Sequence, residues 1–391
     1  MKRRKPGKTT VDVDAASPRG AYTRRTLLKG TAAAAGTAAA MGAASQIGAP
    51  YIGTAKAATT TWKIQTSWWN GVQGWPYFEK WCKSIIEKTG GELELKPFAG
   101  GAAVGTFEML EATRTGVLDA MNWWTLYGAG RLPATVFLSS YPLGLRNPHE
   151  WDTFFYGMGG LEITREMYAK LGLFYVAPIH HGPNIIHSKT PLRSIEDFKG
   201  RKMRVPGGMV AELFTAAGAK TTLLPGSEIY PAMEKGTIDV TDVVGPAINW
   251  DMGLGQVAKY ISMGPPGFMS IYQPVDLMDF TVNMKSWNAL SPQMRQFFEL
   301  ECHAYSDKHH AFIQKLDFDA WEKFEKAGVK VIRLPEASVE AFTKLAVPLW
   351  YKWANKDKTA ARIFKIQLDY MMSSSLGYVT PDMIKGQKLN L

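Results

Sequence analysis

The chain of 391 residues is 46% hydrophobic and 12% aromatic, and it carries 45 Lys/Arg against 35 Asp/Glu for a net charge of +10. The excess is local: residues 1–57 hold ten Lys/Arg and two Asp, which leaves about +2 for the remainder and excludes a nucleic-acid footprint. With Cys82 and Cys302 as its two cysteines, the chain is neither a disulfide scaffold nor the host of a cysteine-held metal cluster.

The first element is a leader. Arg24-Arg25-Thr26-Leu27-Leu28-Lys29 is followed by the weakly apolar run Thr31 to Ala44 and by Ala55-Lys56-Ala57, a small-residue cleavage site. This is the layout of a twin-arginine export signal, so residues 1–57 are expected to be removed and the mature protein to work in the periplasm. The apolar run is shorter than the roughly 18 to 20 residues of a membrane-spanning helix, and no later stretch reaches that length. What remains, about 334 residues, exceeds the size at which single cores usually split, so two domains are expected.

From Thr60 the pattern alternates strand and helix. Thr60 to Thr66 is a β-prone run, and Phe78, Trp81, Cys82, Ile85 and Ile86 then recur at helical spacing until Gly90-Gly91 stops them. Leu93 and Leu95 open the next strand, and Phe107 to Thr115 reads as a helix ending at Gly116. The middle repeats this grammar with strand Phe174 to Ile179, short helix Ser194 to Phe198 closed by Gly200, strand Lys202 to Val205 and helix Gly208 to Ala217. Such alternation predicts an α/β fold. Pro292 to Lys326 reads as one long helix with Phe312, Leu316, Ala320 and Phe324 on its apolar face; at 1.5 Å per residue it spans about 50 Å, enough to brace two lobes. Two more helices follow, Ala337 to Ala354 and Lys358 to Met372, the second with Ile363, Ile366 and Tyr370 on its apolar side. Cys82 and Cys302 both fall in helices and are expected as buried free thiols.

Enzyme signatures are missing. The chain contains no G-x-S-x-G, H-E-x-x-H or phosphate-binding loop, and its seven histidines are scattered apart from His180-His181 and His309-His310. Adjacent residues of a strand face opposite ways, so neither pair makes a metal site alone.

The most specific signals are two blocks, Ser194-Ile195-Glu196-Asp197-Phe198-Lys199-Gly200-Arg201-Lys202-Met203-Arg204-Val205 and Gly226-Ser227-Glu228-Ile229-Tyr230-Pro231-Ala232-Met233-Glu234-Lys235-Gly236-Thr237-Ile238-Asp239. In these blocks, and along the whole mature chain, the sequence resembles the solute receptors of tripartite ATP-independent periplasmic (TRAP) transporters, the DctP-like family, above all the α-keto acid and mannitol-chloroaromatic types. The resemblance implies a two-lobed α/β periplasmic binding protein with a long lobe-spanning helix and a C-terminal helical tail. It places lobe I at 60–182 and 272–312, lobe II at 183–271, and the bridging helices with the tail at 313–391. The implied function is capture of a small organic acid and its delivery to the small (DctQ-like) and large (DctM-like) membrane subunits, with no bond made or broken. The tail is similar to that of α-keto acid receptors that dimerise by exchanging a C-terminal helix, so a homodimer is implied. Two rivals stand beside this reading: an exported cofactor-containing redox enzyme, and a ligand-binding sensor for a signalling system.

Site residues follow from the same resemblance. Arg204 falls on the arginine with which the family grips a substrate carboxylate, and its planar fork suits that task; without the resemblance it reads as a surface strand residue. Asp242, in Asp239-Val240-Thr241-Asp242-Val243-Val244-Gly245-Pro246, falls where some relatives bind a sodium or calcium ion that bridges to the ligand, with the Val243 carbonyl as a second oxygen donor. Those relatives have Trp after the acid and a Gln upstream; here Val243 follows, and Asn184 is the upstream amide. Without a cation, Asp242 reads as the cap of a turn. Trp69, Trp124 and Tyr127 lie near predicted strand ends, where open α/β sheets place ligand crevices, and are expected to wall the organic part of the substrate.

Overall fold

The computed structural model describes residues 58–391; the export signal assigned to residues 1–57 lies outside them. Strands β1 (Thr60–Thr66), β2 (Leu93–Phe98), β3 (Ala120–Trp124) and β4 (Leu173–His180) enter a first sheet. A second sheet takes β5 (Ile185–Ser188), β6 (Lys202–Arg204), β7 (Lys220–Thr222), β8 (Val240–Val243) and β9 (Tyr260–Met263). The chain then returns β10 (Leu277–Asn283) to the first sheet and β11 (Lys330–Arg333) to the second, giving spatial orders β2-β1-β3-β10-β4 and β11-β9-β5-β8-β6-β7. Parallel pairs such as β1 with β2 and with β3 require crossovers, and the helices that supply them cover the sheet faces. Helix Gly74–Lys88 buries Phe78, Trp81, Cys82 and Ile85, the spacing read from sequence, and Gly90 and Gly91 end it with φ of +59° and +92°. Both cysteines are buried and free.

The passage between the sheets is a two-stranded ribbon. β4 and β10 pair antiparallel in the first sheet, β5 and β9 in the second. The connecting segments stay bonded: His181 N–H donates to Asp276 O (3.0 Å), Asp276 N–H to Gly182 O (3.0 Å) and Asn184 N–H to Gln273 O (3.1 Å). Two crossings of the chain thus run side by side in this narrow ribbon, and polar residues there are held by backbone on both sides.

The long helix occupies Pro292–Lys326, as the periodicity predicts, and braces both sheets. Phe298 meets Trp62 and Tyr305 meets Trp81 on the first, while Phe324 meets His187 and Trp250 on the second. Its buried stripe differs from the predicted one. Ile313, Asp317, Ala320 and Phe324 face inward together with Ser306 and His309, whereas Phe312 and Leu316 are half-buried. The helix lies across the ribbon, where it must answer backbone donors: Ser306 Oγ accepts from His180 N–H (2.8 Å) and Asp317 Oδ1 from Ala247 N–H (2.7 Å). The tail helices Glu336–Ala354 and Lys358–Met372 pack on their own chain, with Trp350 Nε1 donating to Pro142 O (2.8 Å) and Phe364 against Phe137. Among the described residues no helix is long and apolar enough to cross a membrane.

Candidate ligand-binding site

Strand β6 ends at Arg204, in parallel register with Thr241 of β8. Its side chain is buried at 3% exposure. The guanidinium donates from Nε to Leu224 O (3.1 Å) and from Nη1 to Asp242 O (2.7 Å). Both acceptors are neutral carbonyls, and Arg204 makes no ion pair among the described residues. A buried cation without a contacting anion is costly unless something else supplies the charge.

Arg204 opens into a small cavity that Trp69, Trp124, Tyr127, Asn184 and Val243 also line. The water-accessible space in it is about 20 Å³, room for little more than a water molecule. The first sheet supplies one wall: Trp69 follows β1, Trp124 ends β3 and Tyr127 sits in the turn after it. The second sheet supplies the facing wall from the ends of β6 and β8. The predicted liners thus come together, although they lie up to 174 positions apart in sequence. Trp124 is almost wholly buried and packs edge-on against Trp68 at 5.1 Å, while Trp69 is half-buried. A larger groove of about 480 Å³ between helix Gly74–Lys88 and the long helix is lined by Tyr77, Lys80, Lys308 and Phe312; it contains no buried charge lacking a counter-ion.

Asp242 precedes the cavity-lining Val243 and is fully buried, and neither carboxylate oxygen has a hydrogen-bond partner. Burial pushes its carboxyl up to about 8, against the opposing pull of the Arg204 charge. Sequence reasoning missed a second acid. Asp276, at the end of the ribbon, lines the cavity, and its Oδ1 accepts from Ser139 Oγ (2.9 Å) and Leu277 N–H (3.0 Å). Burial raises it to about 7. No motif surrounds it; the available signal was an acid within the apolar run Pro274-Val275-Asp276-Leu277-Met278, where only a satisfied or functional carboxylate is tolerated.

Asn184 stands beside them. Its Nδ2 donates to Gln273 Oε1 (2.9 Å), while its Oδ1 is buried without a partner. Three orphaned oxygens, two on Asp242 and one on Asn184, form a hard-oxygen donor set of the kind sodium or calcium takes. Val243 O already accepts from Asn249 Nδ2 (3.2 Å), which leaves it one lone pair. No cluster of three or more His, Cys, Asp or Glu side chains suited to a metal exists among the described residues, so a cation here would need oxygens from the ligand as well.

Residues 74–357 match the family model described as bacterial extracellular solute-binding protein, family 7, DctP. The chain belongs to this family. Members are periplasmic solute receptors of transport systems rather than a class of enzymes. A relative in Nostoc sp., a monocarboxylate 2-oxoacid-binding periplasmic protein, is 26% identical over 308 residues, 78% of this chain and 82% of the relative. The fold recurs in a TRAP transporter solute-binding protein from Bordetella bronchiseptica solved with calcium and picolinate, at TM-score 0.75 and 24% identity over 81% of this chain and 95% of that one. It recurs again in one from Pseudoalteromonas atlantica with sodium and pyruvate, at TM-score 0.73 and 21% identity over 82% and 98%. These neighbours show the two-lobed α/β fold expected from the sequence.

Proposed function

We propose that this family 7 receptor captures a small organic acid in the cavity at Arg204 and delivers it to the membrane subunits of a TRAP transporter. The observation that carries the reading is a buried guanidinium that meets only neutral carbonyls. A carboxylate in the cavity would supply the missing anion, and paired N–H donors match its two oxygens. Trp69, Trp124 and Tyr127 wall the organic part, and nothing in the cavity resembles a nucleophile with an adjacent base, so the work is binding.

Charge counting supports a bridging cation. With the acid bound, the site holds Arg204 against three carboxylates: Asp242, Asp276 and the guest. Asp242 and Asn184, joined by the Val243 carbonyl, would hold a sodium or calcium ion against the guest's oxygens, as the cations accompany the acids in the two solved neighbours. When bound, that cation would neutralise the buried negative charge and orient the acid.

The lobes are taken as 60–182 with 272–312 and as 183–271, with 313–391 bridging and trailing; β11 extends the second sheet from within the bridging part. Export through the twin-arginine leader, docking to a small and a large membrane subunit, and tail exchange in a homodimer complete the proposal. The contacts of the tail on its own chain are ones an exchanged tail would make equally well, and light scattering separates dimer from monomer. The test of the function is a thermal-shift panel of organic acids with and without calcium, followed by calorimetry of the best acid on wild type and Arg204→Ala. A panel without any stabilising acid would overturn it.

A further inference from the structure

One side of the cavity is shut by a contact that no sequence pattern announces. Trp69 leaves β1 and lays its indole over Gly226, the first residue of helix Gly226–Glu234, which is carried by the second sheet. A Cβ built on Gly226 would overlap Trp69 Cη2 and Cζ3 and lie 2.9 Å from Cζ2. Ordinary carbon contacts need about 3.5 to 4.0 Å, so any side chain at 226 drives the ring away by more than about 1 Å. The backbone of Gly226 is not in the left-handed region, so its glycine is required by the indole and not by the turn. Four residues beyond Trp69, Gln73 N–H donates to Asp251 Oδ2 (3.1 Å) at the end of helix Pro246–Asp251, again from the first sheet's side to the second's. Segment 69–73 thus grips the opposite half at two points, and both Trp69 and Gly226 line the cavity with Arg204.

We propose that the indole of Trp69 seated on Gly226, with the Gln73 to Asp251 hydrogen bond, is the clasp that holds the cavity shut over its guest. Gly226 is the positioning residue that sets how closely the two halves approach. The proposal rests on the receptor reading of the same cavity. A ring displaced by a methyl group at 226 loses its flat contact and opens a gap, and dispersion falls steeply with such a gap. The missing side chain therefore acts on how long the guest stays, more than on whether the guest is recognised.

Five forms of the mature chain test this: wild type, Gly226→Ala, Trp69→Leu, the double variant of these two and Asp251→Ala, read by stopped-flow release of the best acid of the panel in calcium. Gly226→Ala is expected to speed release about 10-fold or more while the melting temperature of the ligand-free chain stays within error of wild type. Trp69→Leu alone removes the clasp and is expected to speed release about as much, and in the Gly226→Ala background it removes a ring that is no longer seated, so the two effects do not add. Asp251→Ala should speed release by a smaller factor, about 2- to 5-fold, as one hydrogen bond is lost. Wild-type release from Gly226→Ala overturns the clasp, as does a double variant in which the two single effects multiply. If no acid binds wild type, the receptor reading fails on its own. Small-angle scattering of the ligand-free forms then decides: a larger radius of gyration in both Gly226→Ala and Trp69→Leu supports the clasp, and unchanged profiles refute it.

Discussion

Asp242 and Asp279 are both fully buried strand residues, one in each sheet, and burial raises both carboxyls, to about 8 and about 7. Their surroundings are opposite. Asp279 accepts from Trp123 Nε1 (3.0 Å), Thr125 Oγ1 (2.8 Å), Thr281 Oγ1 (2.7 Å) and Tyr168 Oη (3.4 Å), so its charge is answered within the first sheet. Neither Asp242 carboxylate oxygen has a hydrogen-bond partner of good geometry, the Asn184 amide beside it pulls its carboxyl down only in part, and the one cation near it, Arg204, bonds to its backbone carbonyl. A carboxylate wrapped in donors ties β3 to β10 and is architecture. One left bare beside an unpaired guanidinium is what the proposed binding of an acid and a cation would use.

The contrast can be broken by mutation, and the largest effect belongs to the arginine. Arg204→Ala is expected to weaken binding of the acid by about 100-fold or more, since removing one partner of a desolvated charge pair costs roughly 3 to 5 kcal/mol. Calorimetry reads this directly, and Arg204→Lys should recover only part of it, because a point charge cannot offer a planar fork. On the architectural side, Asp279→Ala orphans buried donors and should destabilise the fold by about 2 to 4 kcal/mol. Its affinity for the acid should stay near wild type, as chemical denaturation and calorimetry on one preparation would show. Asp242→Asn should do the reverse: ligand affinity falls by about 10- to 100-fold and no longer responds to calcium after chelation, while the ligand-free protein is no less stable than wild type. Equal stability losses in the Asp279 and Asp242 variants would erase the distinction.

The smallest effect is on pH dependence. A buried acid whose folded pKa is raised binds protons in the native state that the unfolded chain has released, so stability falls as pH rises. For the ligand-free and cation-free protein, Asp242, Asp276 and Asp279 place that decline between the ordinary carboxylate value near 4 and their raised values of about 7 to 8. Melting temperatures across this window should drop in wild type, drop less in Asp242→Asn, and recover when calcium and acid are added. A flat profile would mean that the bare carboxylate is already neutralised by the protein.

Much of the frame was legible because local chemistry and tertiary role agree there. Helix Gly74–Lys88 shows its core stripe and its glycine stop, and the long helix runs from its proline to its last lysine without a breaker. Strand β11 was missed because Lys330–Arg333 is short and largely exposed, and only its pairing with β9 makes it a strand. Residues 134–145 were left unassigned, yet Val136, Phe137, Leu138 and Leu145 are wholly buried. Only Pro133–Phe137 forms a 3₁₀ turn there and the rest is irregular chain, so no long period exists to read.

The site divides along the same line. Arg204 and Asp242 were reached through resemblance of a linear motif, and the aromatic liners through their place at strand ends. Asp276, Gln273 and Gly226 depend on where the ribbon and the helices bring distant chain together, which spacing in sequence does not encode. Asn184 was read as an upstream amide; its bond to Gln273 and its orphaned oxygen emerge only from the antiparallel crossing.

The central claim is that the Arg204 guanidinium is held ready for a carboxylate. A crystal structure of the mature protein with its best-stabilising acid tests this most directly. A carboxylate oxygen within about 2.7 to 2.9 Å of an Arg204 Nη atom, the charge-assisted distance, is the predicted result. An acid bound with its carboxylate elsewhere, and Arg204 still meeting only the Leu224 and Asp242 carbonyls, would contradict the account.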